Sequence, residues 1–365
     1  MADGDRFVLN RKSARIRRKL LDWFAGEKRR LPWRGTKDPY RLWVSEVMLQ
    51  QTTVAAVRGR YASFLARFPN VETLARAREE TVIAAWSGLG YYSRARLLRR
   101  AARAVVSEHG GKLPRDPALL RALPGFGDYT AAAVASLAYG VRVPAADANV
   151  TRVLSRVHAM AGPPGSPAYR ARVLAAAEAL LPPRRPGDAT AALMDLGQAI
   201  CLPRRPRCPV CPLAGECAAF RAGDPERYPG RAALPPVRRI HLAAADARQG
   251  ARTLLLRRPD GGWLPRMWEF PSGEGATRSS ARRRLAAVLE SHGLRLQESG
   301  PVGRATHTIV RRRLEIEVFR AFPAAAREPK AERSSGRWFS ARGLGRAAVS
   351  TLTRKIGRAS GFLPR

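Results

Sequence analysis

Up to about residue 220, apolar residues recur at three- and four-residue spacing, as in ASFLARF (62–68), VETLARA (71–77) and TVIAAWSGLG (81–90). That period, broken by short Gly/Pro loops, predicts amphipathic helices. Asp116-Pro117 sets an N-cap and a first-turn proline before ALLRAL (118–123), and Asp128 is expected to cap the next helix. Between them LPGFGDY (123–129) reads as a glycine turn joining two helices. YPGRAALPPVRR (228–239) is a Pro-rich, basic break and the expected linker. Beyond it, IHLAAADA (240–247), RTLLLRR (252–258) and RLEIEVFRAF (313–322) alternate or run apolar in short blocks, with one helical stretch, SSARRRLAAVLESHG (279–293). The pattern predicts an all-α domain over 1–227, a linker over 228–239 and a smaller α+β domain over 240–365.

Composition changes this picture in one respect. Among the 365 residues, 66 Lys plus Arg stand against 29 Asp plus Glu, a net charge of +37. A GC-rich coding bias explains Arg over Lys but not the shortage of acids, so the excess points to a polyanionic partner, most commonly nucleic acid. MADGDRFVLNRKSARIRRKL holds no apolar core of signal-peptide length, and no apolar run is long enough to span a membrane. A soluble, cytoplasmic protein is therefore expected, and in that compartment disulfides are unfavoured.

Candidate chemistry lies in a few clusters. All four cysteines fall in CLPRRPRCPVCPLAGEC: Cys201, Cys208, Cys211 and Cys217. Four thiolates this close suit a metal or an iron–sulfur cube, and a single Cys-x-x-Cys turn favours a 4Fe-4S cluster over structural zinc. Arg204, Arg205 and Arg207 lie in the first loop, where a cluster would hold them against a phosphate. In SEVMLQQT (45–52), Glu46 stands between Leu42 and Leu49 on one helical stripe. Burial there would keep its carboxyl protonated as a proton donor, and an exposed edge position is the equal alternative. In PAADANVTRVLSRV (144–157), Asp147 and Asn149 open an apolar helix. Asp147 reads either as a plain N-cap or as a second carboxylate for glycosidic cleavage. GLGYYSRARL (88–97) sets adjacent tyrosines before Arg94 and Arg96, either a base-stack wedge beside phosphate-binding arginines or a buried tyrosine pair.

Taken in order, LPWR (31–34), SEVMLQQT, GLGYY, LPGFGDYTA, DANV, MDLGQAIC (194–201) and the four cysteines resemble the MutY-type adenine DNA glycosylases, the adenine-removing branch of the helix–hairpin–helix superfamily. The resemblance spans residues from about 20 to 220. More loosely, the part with WLPRMWEFPSGE (263–274) resembles that family's Nudix-fold domain. The resemblance implies a monofunctional enzyme of base excision repair that flips adenine, mispaired with 8-oxoguanine or guanine, out of duplex DNA. Glu46 matches the general acid that protonates adenine, and Asp147 the carboxylate that stabilises the oxocarbenium-like sugar. Asn149 and Tyr129 match residues that position that carboxylate. Trp33 and Arg34 fall on the adenine pocket, and Gln51, Thr52 and Tyr91 match residues that engage the opposite base. Amides around Gly125 and Gly127 would hold phosphate at a helix N-terminus. The implied cofactor is a 4Fe-4S cluster on Cys201, Cys208, Cys211 and Cys217. The implied partner is double-stranded DNA, bound by a monomer.

The chain departs from the family at several points. Ala189-Thr190-Ala191 stands where relatives carry a polar triplet, and Ala148 replaces the glycine of Asp-Gly-Asn. Ile309-Val310-Arg311 replaces the Phe-Ser-His that senses 8-oxoguanine, which leaves strict preference for that base open. An endonuclease III-like lyase would need a hairpin lysine where Tyr129 stands. A Nudix hydrolase would need a glutamate-rich helix in place of ARRRLAAVLESHG (281–293). A non-catalytic DNA-binding module would not need Glu46 and Asp147 together.

Overall fold

The computed structural model describes residues 3–26, 31–230, 236–261, 263–324 and 336–364. The chain divides into two compact units, Met1–Arg76 with Leu97–Ala233, and Ala77–Arg96 with Leu234–Arg365. The boundary falls inside the expected linker, whose residues 231–235 lie outside the described residues. Ala77–Arg96, which periodicity assigns to the helical domain, is instead part of the second unit. It is tied there by Arg354, which donates to Ser87 Oγ at 3.3 Å, and by the Tyr92 hydroxyl, which donates to the Val349 carbonyl at 3.4 Å.

The helices run in chain order α1 (Asp3–Gly26), α2 (Pro39–Leu49), α3 (Val54–Arg67), α4 (Val71–Arg76), α5 (Glu79–Ala85), α6 (Ser93–His109), α7 (Pro117–Ala122), α8 (Asp128–Tyr139), α9 (Ala148–Val157), α10 (Pro167–Ala179), α11 (Pro186–Ala199) and α12 (Ala218–Arg221). At the centre of the first unit is α8, an alanine-rich helix buried from Thr130 to Leu137. Small side chains let α2 and α11 pack on it closely, and its core continues through Leu42, Val150, Val153, Leu154 and Leu193.

Local rules explain the turn that leads into α8. Asp116 caps α7 by accepting from the Ala118 amide at 2.8 Å, and α7 stops at Leu123. Gly125 has φ +80°, and a Cβ there would lie 2.7 Å from Leu97 Cβ, so the turn requires glycine on both counts. The N-cap of α8 is Gly127, and no side chain caps it. Asp128 therefore does not cap. It sits one residue inside the helix, where its carboxylate pairs with Arg121 at 3.1 Å and Arg170 at 3.4 Å and faces the positive end of the helix dipole.

A second close approach joins α9 to α11. A Cβ on Gly197 would meet Asn149 Cβ at 2.7 Å and the Asn149 carbonyl oxygen at 3.1 Å. Gly197→Ala gains helix propensity but forces the two helices apart, and such overpacking costs about 1–3 kcal/mol. The first unit's melting temperature is expected to fall by about 2–6 °C, read by circular dichroism.

In the second unit, β1 (Arg238–Gln249), β2 (Arg252–Arg257), β3 (Trp268–Glu269), β4 (Ser272–Gly275), β5 (Leu294–Leu296), β6 (Gly303–Ile309), β7 (Arg312–Pro323) and β8 (Gly336–Ser340) form a mixed sheet in which β1 and β7 pair in parallel from Arg238↔Arg312 to Ala247↔Ala321. Alternation along these strands divides two apolar faces. Leu242, Ile316 and Val318 cluster with Leu352 and Ile356, which lie on α15 (Thr351–Ala359), the helix after α14 (Ala341–Arg346). Ala243, Ala245 and Phe319 cluster with Leu285 and Leu289 of α13 (Arg278–Glu290). The helix expected in the second domain is thus α13. Its arginines 282–284 are exposed, and its one glutamate is its last residue.

Candidate active site

Glu46 is buried at 5% exposure on α2, which excludes the exposed-edge alternative. Burial is the dominant influence and raises its carboxyl pKa above the ordinary range. The Tyr129 hydrogen bond and the Arg34 charge pull it back, and the Asp147 charge pushes it up again. The Tyr129 hydroxyl, reaching over from α8, donates to Glu46 Oε2 at 2.6 Å. Burial and the two carboxylates raise the phenol's own pKa well above its usual value, so it stays a donor. The sequence-based expectation joined Tyr129 to Asp147, but the phenol is hydrogen-bonded to Glu46. The crossing of α2 on α8 brings these side chains together across 83 positions of sequence, which local pattern cannot reveal.

For Asp147 the two readings are not exclusive. Oδ1 accepts from the Val150 amide at 2.7 Å and caps α9, while Oδ2 accepts from Asn149 Nδ2 at 2.8 Å. Ala148 is the first residue of α9 and has no positive φ, so replacing glycine there costs nothing in backbone strain. Asn149 is held in turn by Arg152, whose Nη2 donates to Asn149 Oδ1 at 2.9 Å and to the Gly197 carbonyl at 2.6 Å. Arg152 Nε donates to the Cys201 carbonyl at 2.8 Å, so one guanidinium links the cysteine loop to the Asn149–Asp147 pair.

One cavity of about 650 Å³ gathers Glu46, Tyr129, Asp147 and Asn149 with Trp33, Arg34, Gln51 and Thr52. Trp33 is packed edge-on against Tyr61, with centroids 5.5 Å apart, and forms a rigid wall. Arg34 donates to Asp195 at 2.6 Å, and Asp195 is almost wholly buried. Asp195, Met194 and Gln198 were not singled out from sequence. Met194 and Gln198 line the cavity, and the MDLGQ run carrying all of them was the available signal. Ala189, Thr190 and Ala191 are buried in α11 and do not line it.

Tyr91 belongs elsewhere. It is exposed, with φ +45°, and lines a separate cavity of about 480 Å³ in the second unit, with Trp263, Pro265, Ile309 and Val310. Neighbouring Tyr92 is buried, so one tyrosine of the pair is exposed and the other belongs to the core. The phosphate-binding expectation for Arg94 and Arg96 is not met. Arg94 is buried and donates to the Leu89 and Gly90 carbonyls at 3.1 and 3.2 Å, while Arg96 pairs with Glu79 at 2.9 Å.

The four cysteines line one apolar pocket with Val153, Arg156, Leu196 and Leu213. Among the described residues no group of His, Cys, Asp or Glu is arranged to hold a single metal ion. Burial pushes the Cys211 thiol up to about 12, so it becomes a thiolate only against a cation.

Residues 44–176 match the family described as the HhH-GPD superfamily base excision DNA repair protein, and residues 243–359 match the NUDIX domain. The chain is 34% identical over 406 residues to the adenine DNA glycosylase of Homo sapiens, covering 94% of this chain and 73% of that protein. The chain belongs to the adenine DNA glycosylase family. The Mycolicibacterium smegmatis adenine DNA glycosylase is 42% identical over 239 residues, covering 65% of this chain and 78% of that one. A solved thermostable thymine-DNA glycosylase superposes with a TM-score of 0.53 at 30% identity, over 58% of this chain and 98% of its own. An endonuclease III–DNA complex, at 23% identity and a TM-score of 0.50, shares the fold of the same region, covering 58% of this chain and 97% of that one. No helix among the described residues is long and apolar enough to cross a membrane.

Proposed function

We propose that this glycosylase is monofunctional and hydrolyses the N-glycosidic bond of adenine mispaired with 8-oxoguanine or guanine in duplex DNA. The observation that carries the reading is the pairing, in one cavity, of a carboxyl whose burial favours its protonated form with a second carboxylate tethered at a helix N-terminus. Glu46 donates its proton to the imidazole edge of the flipped adenine, turning it into a neutral leaving group. Asp147, oriented by Asn149, faces the positive charge that develops on the sugar. Tyr129 fixes the Glu46 carboxyl and leaves Oε1 with no donor among the described residues, so that oxygen can carry the proton. Trp33 stacks on the base, Arg34 borders it, and Gln51 and Thr52 engage the opposite base. Amides at Gly125 and Gly127 take a phosphate at the free N–H end of α8. Tyr91, Ile309 and Val310 line the cavity that receives the opposite base. With no hydroxyl at Val310 to read the 8-oxo edge, guanine is expected to compete there more closely than a polar tip would allow.

A 4Fe-4S cluster suits the cysteines. The donors are all soft thiolates in an apolar pocket, and they surround it without converging on one ion. Cys201, Cys208, Cys211 and Cys217 would hold it. When bound, it would brace the 201–217 loop as a rigid anionic knot.

The test is a single-turnover assay on duplexes with adenine opposite 8-oxoguanine, guanine or cytosine, scored for strand breaks with and without hot alkali. Breaks that need alkali and occur only at adenine are expected. Breaks without alkali would identify a lyase, and no breaks from cluster-loaded protein would leave a binding module.

A further inference from the structure

We infer that Arg156 is the counter-charge and N–H···S donor of the group held by the four cysteines, tuning the metal–thiolate bond at Cys201; this rests on the cluster reading above. Arg156 is 2% exposed, on α9 one turn beyond Arg152. Each nitrogen of its guanidinium is engaged: Nε donates to the Tyr228 carbonyl at 2.9 Å, Nη1 to the Leu202 carbonyl at 2.7 Å, and Nη2 to the Pro203 carbonyl at 3.1 Å. Nη1 also lies 3.4 Å from Cys201 Sγ, and the Arg156 carbonyl accepts from Cys217 Sγ at 3.4 Å. The residue thus touches the first and last of the cysteines.

What is missing around it is a carboxylate. Among the described residues none pairs with Arg156, and its acceptors are neutral carbonyls and a sulfur. A buried cation without a counter-charge costs several kcal/mol. Arg152 makes the imbalance worse. It is also buried, donating to the Cys201 and Gly197 carbonyls and to Asn149 Oδ1. Asp147, tied to Arg152 through Asn149, offers that guanidinium a nearby negative charge, but it does not pair with Arg156, beside which the adjacent candidates for an anion are the cysteine sulfurs. A cluster carried by four thiolates supplies that anion. In return, a hydrogen bond to thiolate sulfur withdraws electron density from the iron–sulfur bond and favours the more reduced state of the cluster.

The experiment uses the full chain, cluster-loaded, as wild type, Arg156→Met and Arg156→Lys. Iron and sulfide are measured first, then the iron–cysteine stretching bands by resonance Raman and the midpoint potential by mediated titration. In Arg156→Met the stretch is expected to move to higher frequency. The one-electron equilibrium should shift tenfold toward the oxidised form, a midpoint lower by about 59 mV. Arg156→Lys keeps the charge but not the planar fork, so its shifts should be smaller and in the same direction. If the Met variant does not load, the Lys variant decides. A residue that only braced the loop would lower the melting temperature and leave both readouts unmoved in loaded protein, and that result overturns the inference. Wild-type protein carrying zinc, or iron without sulfide, overturns the cluster reading itself.

Discussion

Glu46→Gln is expected to abolish adenine excision, with a single-turnover rate at least about 10³-fold below wild type, while the fold becomes more stable at neutral and alkaline pH. The rate follows from the loss of the carboxylic proton donor placed against the base, since positioned general acids contribute about 10²–10⁴-fold. The stability follows from the sign of the shift. Burial raises the folded-state pKa of Glu46 above its unfolded value. Its contribution to stability is therefore complete below the unfolded pKa and is lost as pH rises through the folded pKa, where a buried charge must form. Glutamine never ionises, and its carbonyl oxygen can still accept from Tyr129. The variant should thus melt higher than wild type at pH 8 and match it at pH 4. The wild-type excision rate should fall on the alkaline side as the same proton leaves. A melting series across pH and a rate profile check both halves. A Gln variant with wild-type activity, or one destabilised at every pH, would sink the assignment of Glu46 as a buried acid.

Much of this site could be read from the chain because its parts are local. The three- and four-residue period put Glu46 on the apolar stripe of α2, and the cysteine spacing marked a loop whose four thiols line one pocket. What could not be read depends on helices crossing. Tyr129 lies two residues past Gly127, yet its partner is set by α2, 83 positions earlier. Asp128 met the local rule for a cap but is displaced one residue into the helix, because Gly127 already takes the cap position. Asn149, Arg152 and Arg156 follow i, i+3, i+7 and share a face of α9, a pattern that ordinarily marks a solvated stripe. Arg152 and Arg156 are buried, and Asn149 half-buried, because α11 and the cysteine loop pack over that face. The second unit was legible as alternating strands, but the membership of Ala77–Arg96 was not, since its helices look like those of the first unit.

Asp147→Asn separates the two roles that Asp147 plays, and the expected result is a protein that folds, binds duplex and excises adenine far more slowly. As an N-cap, asparagine is about as good as aspartate, so the bond to the Val150 amide can persist. The charge lost at the positive end of α9 costs roughly 0.3–1 kcal/mol, or a few degrees of melting temperature at most. Catalytically the change is large. The oxocarbenium-like sugar loses the anion facing it, and removing a single well-placed electrostatic partner costs about 2.7–4 kcal/mol in the barrier, some 10²–10³-fold in rate. Affinity for DNA should hold or rise, because one negative charge is removed from a surface that meets phosphates. Asp147→Ala completes the comparison: it should match the Asn variant in rate but lose about a further 1 kcal/mol of stability with the cap. If Asp147 were only a cap, the Asn variant would excise adenine at nearly the wild-type rate, and the Ala variant would slow only as far as it unfolds.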